Sequence, residues 1–350
     1  MEKTVVVGMS GGVDSSVSAL LLKQQGYRVI GLHMKSMNSV SADTDRKSAE
    51  DVCKKIGIDF VCVDYKDEMD KVKDYFIGEY KIGRTPNPCV LCNREVKFKP
   101  FVDYMNQIGA DYFATGHYAN IEHTENGHFL VIAKDEDKDQ TYFLNQLSQE
   151  QLSKVLFPLG SLTKDEVRKI AEQNGLVNAH KKDSFDVCFV GSQKFKDYMK
   201  QVCPQKCGDI IDIDSGKVVG RHNGLNVFTY GQRKGLSIGG QKDILGRWFV
   251  VKKDLENNIL YVSTNEQKYL FSATVICGNF NWIKQLDNSA DCFAKIRYRQ
   301  ANQKVSVEVL DDQKVKLSFE NPQRAATLGQ YAVLYQNGYC LGGGVIEEVC

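Results

Sequence analysis

Gly8-Met9-Ser10-Gly11-Gly12-Val13-Asp14-Ser15-Ser16 follows directly on the β-branched run Thr4–Val7. Such a stretch reads as a strand turning into a helix. Small residues let backbone N–H groups approach a polyanion, and the helix start adds unpaired donors and the positive end of its dipole. The chemistry implied is phosphate binding, expected of an enzyme more than of an inert scaffold. No lysine follows the glycines, which excludes a kinase-type phosphate loop. The spacing of Gly8, Gly11 and Gly12 also excludes the dinucleotide fingerprint. Asp14 falls in the first helical turn, where it caps backbone donors or helps hold a cation beside phosphate. A tight turn without ligand is the plain alternative.

Cysteines supply the second chemistry. Thr85-Pro86-Asn87-Pro88-Cys89-Val90-Leu91-Cys92-Asn93-Arg94 carries two of them behind a proline-stiffened segment. With a helix beginning at Asn93, Cys92 sits at its N-terminus with Arg94 nearby. Both influences favour thiolate, the form that attacks or ligates. The pair does not follow a strand in a small βαβ unit, so thioredoxin-like exchange does not fit. Cys203-x-x-x-Cys207 offers another close pair for a zinc site, in a glycine-rich setting that suits it poorly. Cys188 lies in Lys181–Gly191, a charged lead-in to an apolar, strand-like segment. It reads either as buried filler or as a second reactive thiol at the nucleotide site. Cys62 and Cys277, in apolar runs, read as buried small hydrophobes. His33, His123, His128, His180 and His222 show no spacing typical of zinc.

These residues need elements to position them. Strand candidates at Thr4–Val7, Arg28–Met34, Phe60–Val63 and Tyr112–Thr115 alternate with helical stretches near 15–25, 46–57, 67–80 and 94–108. This predicts an α/β, doubly wound parallel sheet with ligands beyond the strands' C-terminal ends, where Met34, Thr115, Gly116 and His117 fall. Phe129–Ala133 is a further strand candidate. Thr163 with Glu166 predicts a capped helix running to Asn174 and ended by Gly175. Past Pro204, glycine-rich turns between short strands predict a small β-rich domain. From Phe271 onward, the runs Val305–Val309 and Val315–Phe319 predict a C-terminal antiparallel β-barrel. The expected division is 1–202, 203–268 and 269–350.

Composition bounds the remainder. With 350 residues, 42% of them apolar and 25% charged, and a net charge of +1, the chain reads as globular with two or three domains. No run reaches the length of a spanning helix. The first strand starts close behind Met1, so we expect no secretory segment and a cytoplasmic location. Eleven cysteines, an odd number, argue against a fully paired disulfide framework. Lys81–Lys99 and Lys295–Lys304 are basic stretches that suit phosphate contacts of a nucleic acid or plain solvated faces.

Taken together, the motifs resemble one family. The signature at 8–16 is similar to the pyrophosphate loop of ATP-pyrophosphatases. With Arg-Thr-Pro-Asn-Pro-Cys-Val-Leu-Cys-Asn at 84–93, Ala-Thr-Gly-His-Tyr at 114–118 and Lys-Asp-Gln at 138–140, it resembles the tRNA 2-thiouridylases. Lys-Asp-Ser-x-x-x-Cys-Phe at 182–189, Gly-Gln-Arg-Lys-Gly-Leu at 231–236 and Lys-x-Arg-Tyr-Arg at 295–299 extend the resemblance over almost the whole chain.

The resemblance implies ATP-dependent sulfur insertion at C2 of the wobble uridine, with adenylation of the C2 oxygen. It gives Gly8, Met9, Ser10, Gly11, Gly12, Val13, Asp14, Ser15, Met34 and Gly116 to ATP, with Mg2+ accompanying it. It makes Cys92 the nucleophile and Cys188 the carrier of a persulfide received from a sulfur-relay or cysteine desulfurase partner. Asn87, Pro88 and Cys89 face the target base. His117, Lys138, Asp139, Gln140, Arg297, Tyr298 and Gln330 contact tRNA. The partners implied are tRNA and a sulfur donor, with no membrane. Many members have Asp where this chain has Cys89, and proline is more usual than Leu328. Cys89, Cys92 and Cys188 therefore also offer three ligands for a [4Fe-4S] cluster with one open iron. Two other readings compete. An amidotransferase-type synthetase also adenylates a carbonyl but lacks the distant thiols and basic β-rich C-terminus. A non-catalytic RNA-binding module needs neither intact loop nor thiols.

Overall fold

The computed structural model describes residues 2–35, 40–181, 187–190, 194–204, 206–236, 238, 246–311 and 313–350. Lys182, Asp183 and Ser184 of the Cys188 motif, and Gly239 and Gly240, lie outside the described residues.

Apolar strands set the first layer. β1 (Thr4–Gly8), β2 (Arg28–Lys35), β3 (Asp59–Asp64) and β4 (Tyr112–Ala114) are parallel; after the hairpin β5 (Asn120–Thr124) and β6 (Gly127–Val131), the short β7 (Val155–Leu156) completes the order β3-β2-β1-β4-β7. Helices α1 (Val13–Gln24), α2 (Val40–Ile56) and α3 (Lys66–Lys81) follow the first three strands. Val5, Val6 and Val7 are fully buried, as a doubly covered parallel strand requires. The helix Lys164–Gln173 opens on the expected capping box of Thr163 and Glu166.

β8 (Gly208–Asp212), β9 (Val218–His222), β10 (Phe249–Asp254) and β11 (Ile259–Ser263) form the central four-stranded sheet. β12 (Phe271–Trp282), β13 (Cys292–Lys295), β14 (Gln303–Asp311), β15 (Lys314–Arg324), β16 (Tyr331–Gln336) and β17 (Tyr339–Val349) make the barrel, closed by pairing of β12 with both β15 and β17. The expected strand at Phe129–Ala133 forms as β6, but with β5 it joins the barrel sheet through β17 rather than the parallel sheet. Alternation alone does not say which sheet an antiparallel hairpin will extend. Among the described residues, no helix is long and apolar enough to cross a membrane.

Candidate active site

The loop after β1 is held by hydrogen bonds at nearly every residue. Met9 donates its N–H to the Leu32 carbonyl at 2.8 Å, and its own carbonyl lies 2.8 Å from His33 Nδ1. Ser15 Oγ donates to the Gly12 carbonyl at 3.1 Å and accepts the Ser10 N–H at 3.2 Å. Gly11 has φ +78°, and a Cβ there would stand 2.3 Å from the Asp45 carbonyl oxygen, so only glycine fits. Its carbonyl accepts from Ser48 Oγ, Asn178 Nδ2 and Lys181 Nζ at 3.0, 3.1 and 3.0 Å. α1 then starts at Gly12 with no side-chain cap. Its first-turn N–H groups are thereby left for an external anion. Gly116 permits the end of β4 to lie against that turn, since a Cβ would be 2.7 Å from the Ser15 nitrogen. Met34, near the end of β2, packs between the two largest core clusters.

Asp14 has a partner that spacing did not reveal. Lys164 Nζ donates to both carboxylate oxygens at 2.7 and 2.8 Å, and Tyr118 Oη adds a third bond at 3.0 Å. Lys164 is buried at the first turn of its helix, 150 residues away in sequence. Asp14 is thus an ion-pair member, not a cap. The signal available was the capping box at 163–166, which fixes where Lys164 begins its helix.

The thiol region departs from expectation. Asn87 caps a helix by accepting the Cys89 N–H at 3.2 Å; α4 (Pro88–Leu91) runs into a π-helical turn, Cys92–Phe98, and on into α5 (Lys99–Ile108). Cys92 is therefore inside a continuous helical run, not at its start. It is buried beside Phe189 and Val190, and burial pushes its thiol up to about 12. Burial also raises Cys89, which keeps an exposed face. Arg94 is taken up by Glu95 and Gln146. The cation opposing the rise of both thiols is Lys97, whose Nζ donates to Asn93 Oδ1 at 2.9 Å. A π turn, with its i→i+5 bonding, brings the residue five ahead of Cys92 closer to its face than an α turn does.

Cys188 is exposed at the head of a turn at 188–190 whose Phe189 and Val190 are buried, and it does not lie in a strand. Phe189 anchors that turn, its ring 5.2 Å from Phe76. Cys188 acts electrostatically on both Cys89 and Cys92, so the structure brings the three thiols into one neighbourhood. Lys181, which also pairs with Asp45 at 2.6 Å, ties the other side of the Cys188 segment to the pyrophosphate loop. Cys203 and Cys207 stand apart, bonded to Asn226 and Asn223. His123 and His128, five apart in sequence, meet across the β5–β6 hairpin with Nδ1 atoms 2.7 Å apart.

The remaining expected residues occupy varied settings. His117 is packed between Phe98 and Phe157 and bonded to Thr115 Oγ1 at 2.8 Å; burial, with Lys97 nearby, holds its imidazole well below the usual range and hence neutral. Asp139 is buried and accepts from the Ala133 N–H and Thr141 Oγ1. Gln140 accepts the Tyr118 N–H at 2.9 Å, linking the 138–140 stretch to the tyrosine on Asp14; Lys138 is half-buried. Arg297 donates to the carbonyl of Ala325 and to Thr327 Oγ1. Tyr298 stacks on Phe143 at 4.3 Å. Gln330 donates to the Thr85 carbonyl at 2.7 Å.

Against known proteins, residues 3–192 match the model described as tRNA methyl transferase HUP domain, 196–264 the tRNA methyl transferase PRC-barrel domain, and 272–346 the aminomethyltransferase beta-barrel domain. Proteins called tRNA-specific 2-thiouridylase MnmA from Staphylococcus aureus strains bovine RF122 / ET3-1 and JH9 are each 49% identical to it, over 99% of this chain and 95% of theirs. The chain belongs to the tRNA-specific 2-thiouridylase family. A solved 4-thiouridine synthetase–RNA complex with bound ATP aligns with TM-score 0.41 and 16% identity, covering 58% of this chain and 50% of that one. The U34-tRNA thiolase NcsA from Methanococcus maripaludis aligns with TM-score 0.38 and 22% identity, covering 58% and 67%. The domain models' names speak of methyl transfer.

Proposed function

We propose that this chain catalyses ATP-dependent replacement of the C2 oxygen of a tRNA wobble uridine by sulfur. The observation that carries this is 49% identity over 99% of the chain to tRNA-specific 2-thiouridylases. ATP, entering with Mg2+, supplies an α-phosphorus that the uracil C2 oxygen attacks, expelling pyrophosphate. Residues 8–15, Met34 and Gly116 hold the nucleotide, with the uncapped start of α1 meeting its phosphates.

A persulfide on Cys188, filled by a sulfur donor protein, then presents its terminal sulfur to C2. The C2–O bond breaks and AMP leaves. Cys92 thiolate attacks Cys188 Sγ, so that the S–S electron pair goes to the sulfur now on the base. The Cys92–Cys188 disulfide left behind is reopened by an external thiol reductant. Asn87, Pro88 and Cys89 face the base, while His117, Lys138, Asp139, Gln140, Arg297 and Tyr298 line the tRNA side. Among the described residues, no three His, Cys, Asp or Glu side chains are arranged to hold a metal ion. Cys89, Cys92 and Cys188 remain the three thiols that would hold a [4Fe-4S] cluster with one open iron, the second reading of this site. We keep 1–202, 203–268 and 269–350 as the domain division.

Incubation with ATP, Mg2+, a sulfide source and unmodified tRNA, followed by nucleoside mass spectrometry, tests the reading. The expected products are 2-thiouridine at the wobble position, AMP and pyrophosphate. Pyrophosphate release without thiolation would leave only an adenylating synthetase. No release at all would favour a binding module.

A further inference from the structure

Gln330 reads by resemblance as a tRNA contact, yet its side chain is spent inside the protein. Its Nε2 donates to the Thr85 carbonyl at 2.7 Å, and the Thr85 N–H donates to the Leu328 carbonyl at 2.9 Å. Both backbone groups of Thr85 are therefore held by the barrel turn 328–330. Gly329, with φ +87°, lets that turn press on Arg84 and Thr85, where a Cβ would stand 3.2 Å from each. The turn itself is rooted: Gly329 donates its N–H to the Ile346 carbonyl, and the Gln330 carbonyl accepts the Ile346 N–H at 2.8 Å.

A second tie runs in parallel. Tyr142 Oη donates to the Tyr331 carbonyl at 2.9 Å, and the Asn87 side chain lies close enough to that hydroxyl to bias its titration downward. Asn87 Oδ1 in turn accepts the Cys89 N–H. Barrel strand β16, Tyr142 and Asn87 thus lead in succession to the backbone of Cys89. Between the two ties lie Pro86 and Pro88, whose fixed φ removes slack.

We propose that Gln330 is a positioning residue for sulfur transfer: with Tyr142, it clamps residues 85–89 to the barrel and so sets where Cys89 and Cys92 stand. This rests on the thiouridylase reading and deepens it, because Gln330 then acts on the thiols through the backbone and not on RNA. The test uses the full chain with Gln330→Met, which keeps length but loses the donor, and Tyr142→Phe, which removes only the bridging oxygen. At saturating tRNA, both variants are expected to lower thiolation turnover about 10- to 100-fold, while tRNA Kd and pyrophosphate release stay within about twofold. In the RNA-free protein, both should also change the rate at which iodoacetamide alkylates Cys92, with unfolding midpoints near wild type.

A weakened tRNA Kd with unchanged saturated turnover and unchanged alkylation would overturn the clamp. So would a loss of turnover, binding and unfolding midpoint together, which marks general damage. If wild type makes no 2-thiouridine, the thiouridylase reading fails; the alkylation comparison still decides the clamp.

Discussion

The pyrophosphate loop and the thiol site are a few strands apart and are prepared to different degrees. In the loop, serine hydroxyls, the Gly11 carbonyl and Asp14 all have partners. At the thiols, Cys92 is buried with its thiol pushed up to about 12, a state in which it does not attack. On the proposed roles, the contrast teaches that the nucleotide loop is already tied in place in the resting fold, whereas attack by Cys92 first requires its buried thiol to lose a proton.

The largest effect should come from deleting the sulfur atoms. Cys92→Ser and Cys188→Ser are each expected to lower thiolation about 10³-fold or more. Pyrophosphate release with tRNA should persist in both, as followed with labelled ATP. Loss of both activities together would erase the distinction between the regions.

Next is the ion pair under the loop. Lys164→Met leaves the half-buried Asp14 carboxylate without its cation, with the Tyr118 bond kept, and should cost about 1–2 kcal/mol in urea unfolding. It should also slow pyrophosphate release while Cys92 alkylation is unaffected. An effect confined to alkylation would place Lys164 in the wrong region.

The resting state of Cys92 is checked by pH. Burial raises its pKa, so the thiol is protonated at neutral pH and reactivity should climb about tenfold per unit with no plateau below about pH 11. Peptide-resolved alkylation measures this, and a plateau near pH 8 would mean the site is already armed. Lys97 lowers both thiols, so Lys97→Met should shift the Cys89 and Cys92 curves to still higher pH. The smallest effect is expected of Thr163→Ala, which removes the cap positioning Lys164 and should cost about 1 kcal/mol in thermal unfolding.

How legible these regions were follows from how local they are. Strand β1, the glycine turn and α1 are contiguous, and residue type with spacing is enough to place them. The Thr163–Glu166 capping box is likewise read within four residues. Lys164 on Asp14, Lys181 on Gly11 and Gln330 on Thr85 join positions far apart in the chain, which no periodicity encodes. The helix start at Asn93 was misplaced because Pro88 is a good first-turn residue and Asn87 a good cap, so the helix begins earlier. The π turn beyond has no simple residue signature. The meeting of Cys92 with Cys188 came from family resemblance alone.

The pairing of hairpin β5–β6 with β17 has a consequence for biosynthesis. Residues 120–131 leave the ribosome early, yet the sheet they extend is finished only when Tyr339–Val349 emerges. Until then a raw edge stays open beside the nucleotide half, a target for chaperones and proteases. A chain cut short before that strand would keep the open edge of β6 without its barrel neighbour.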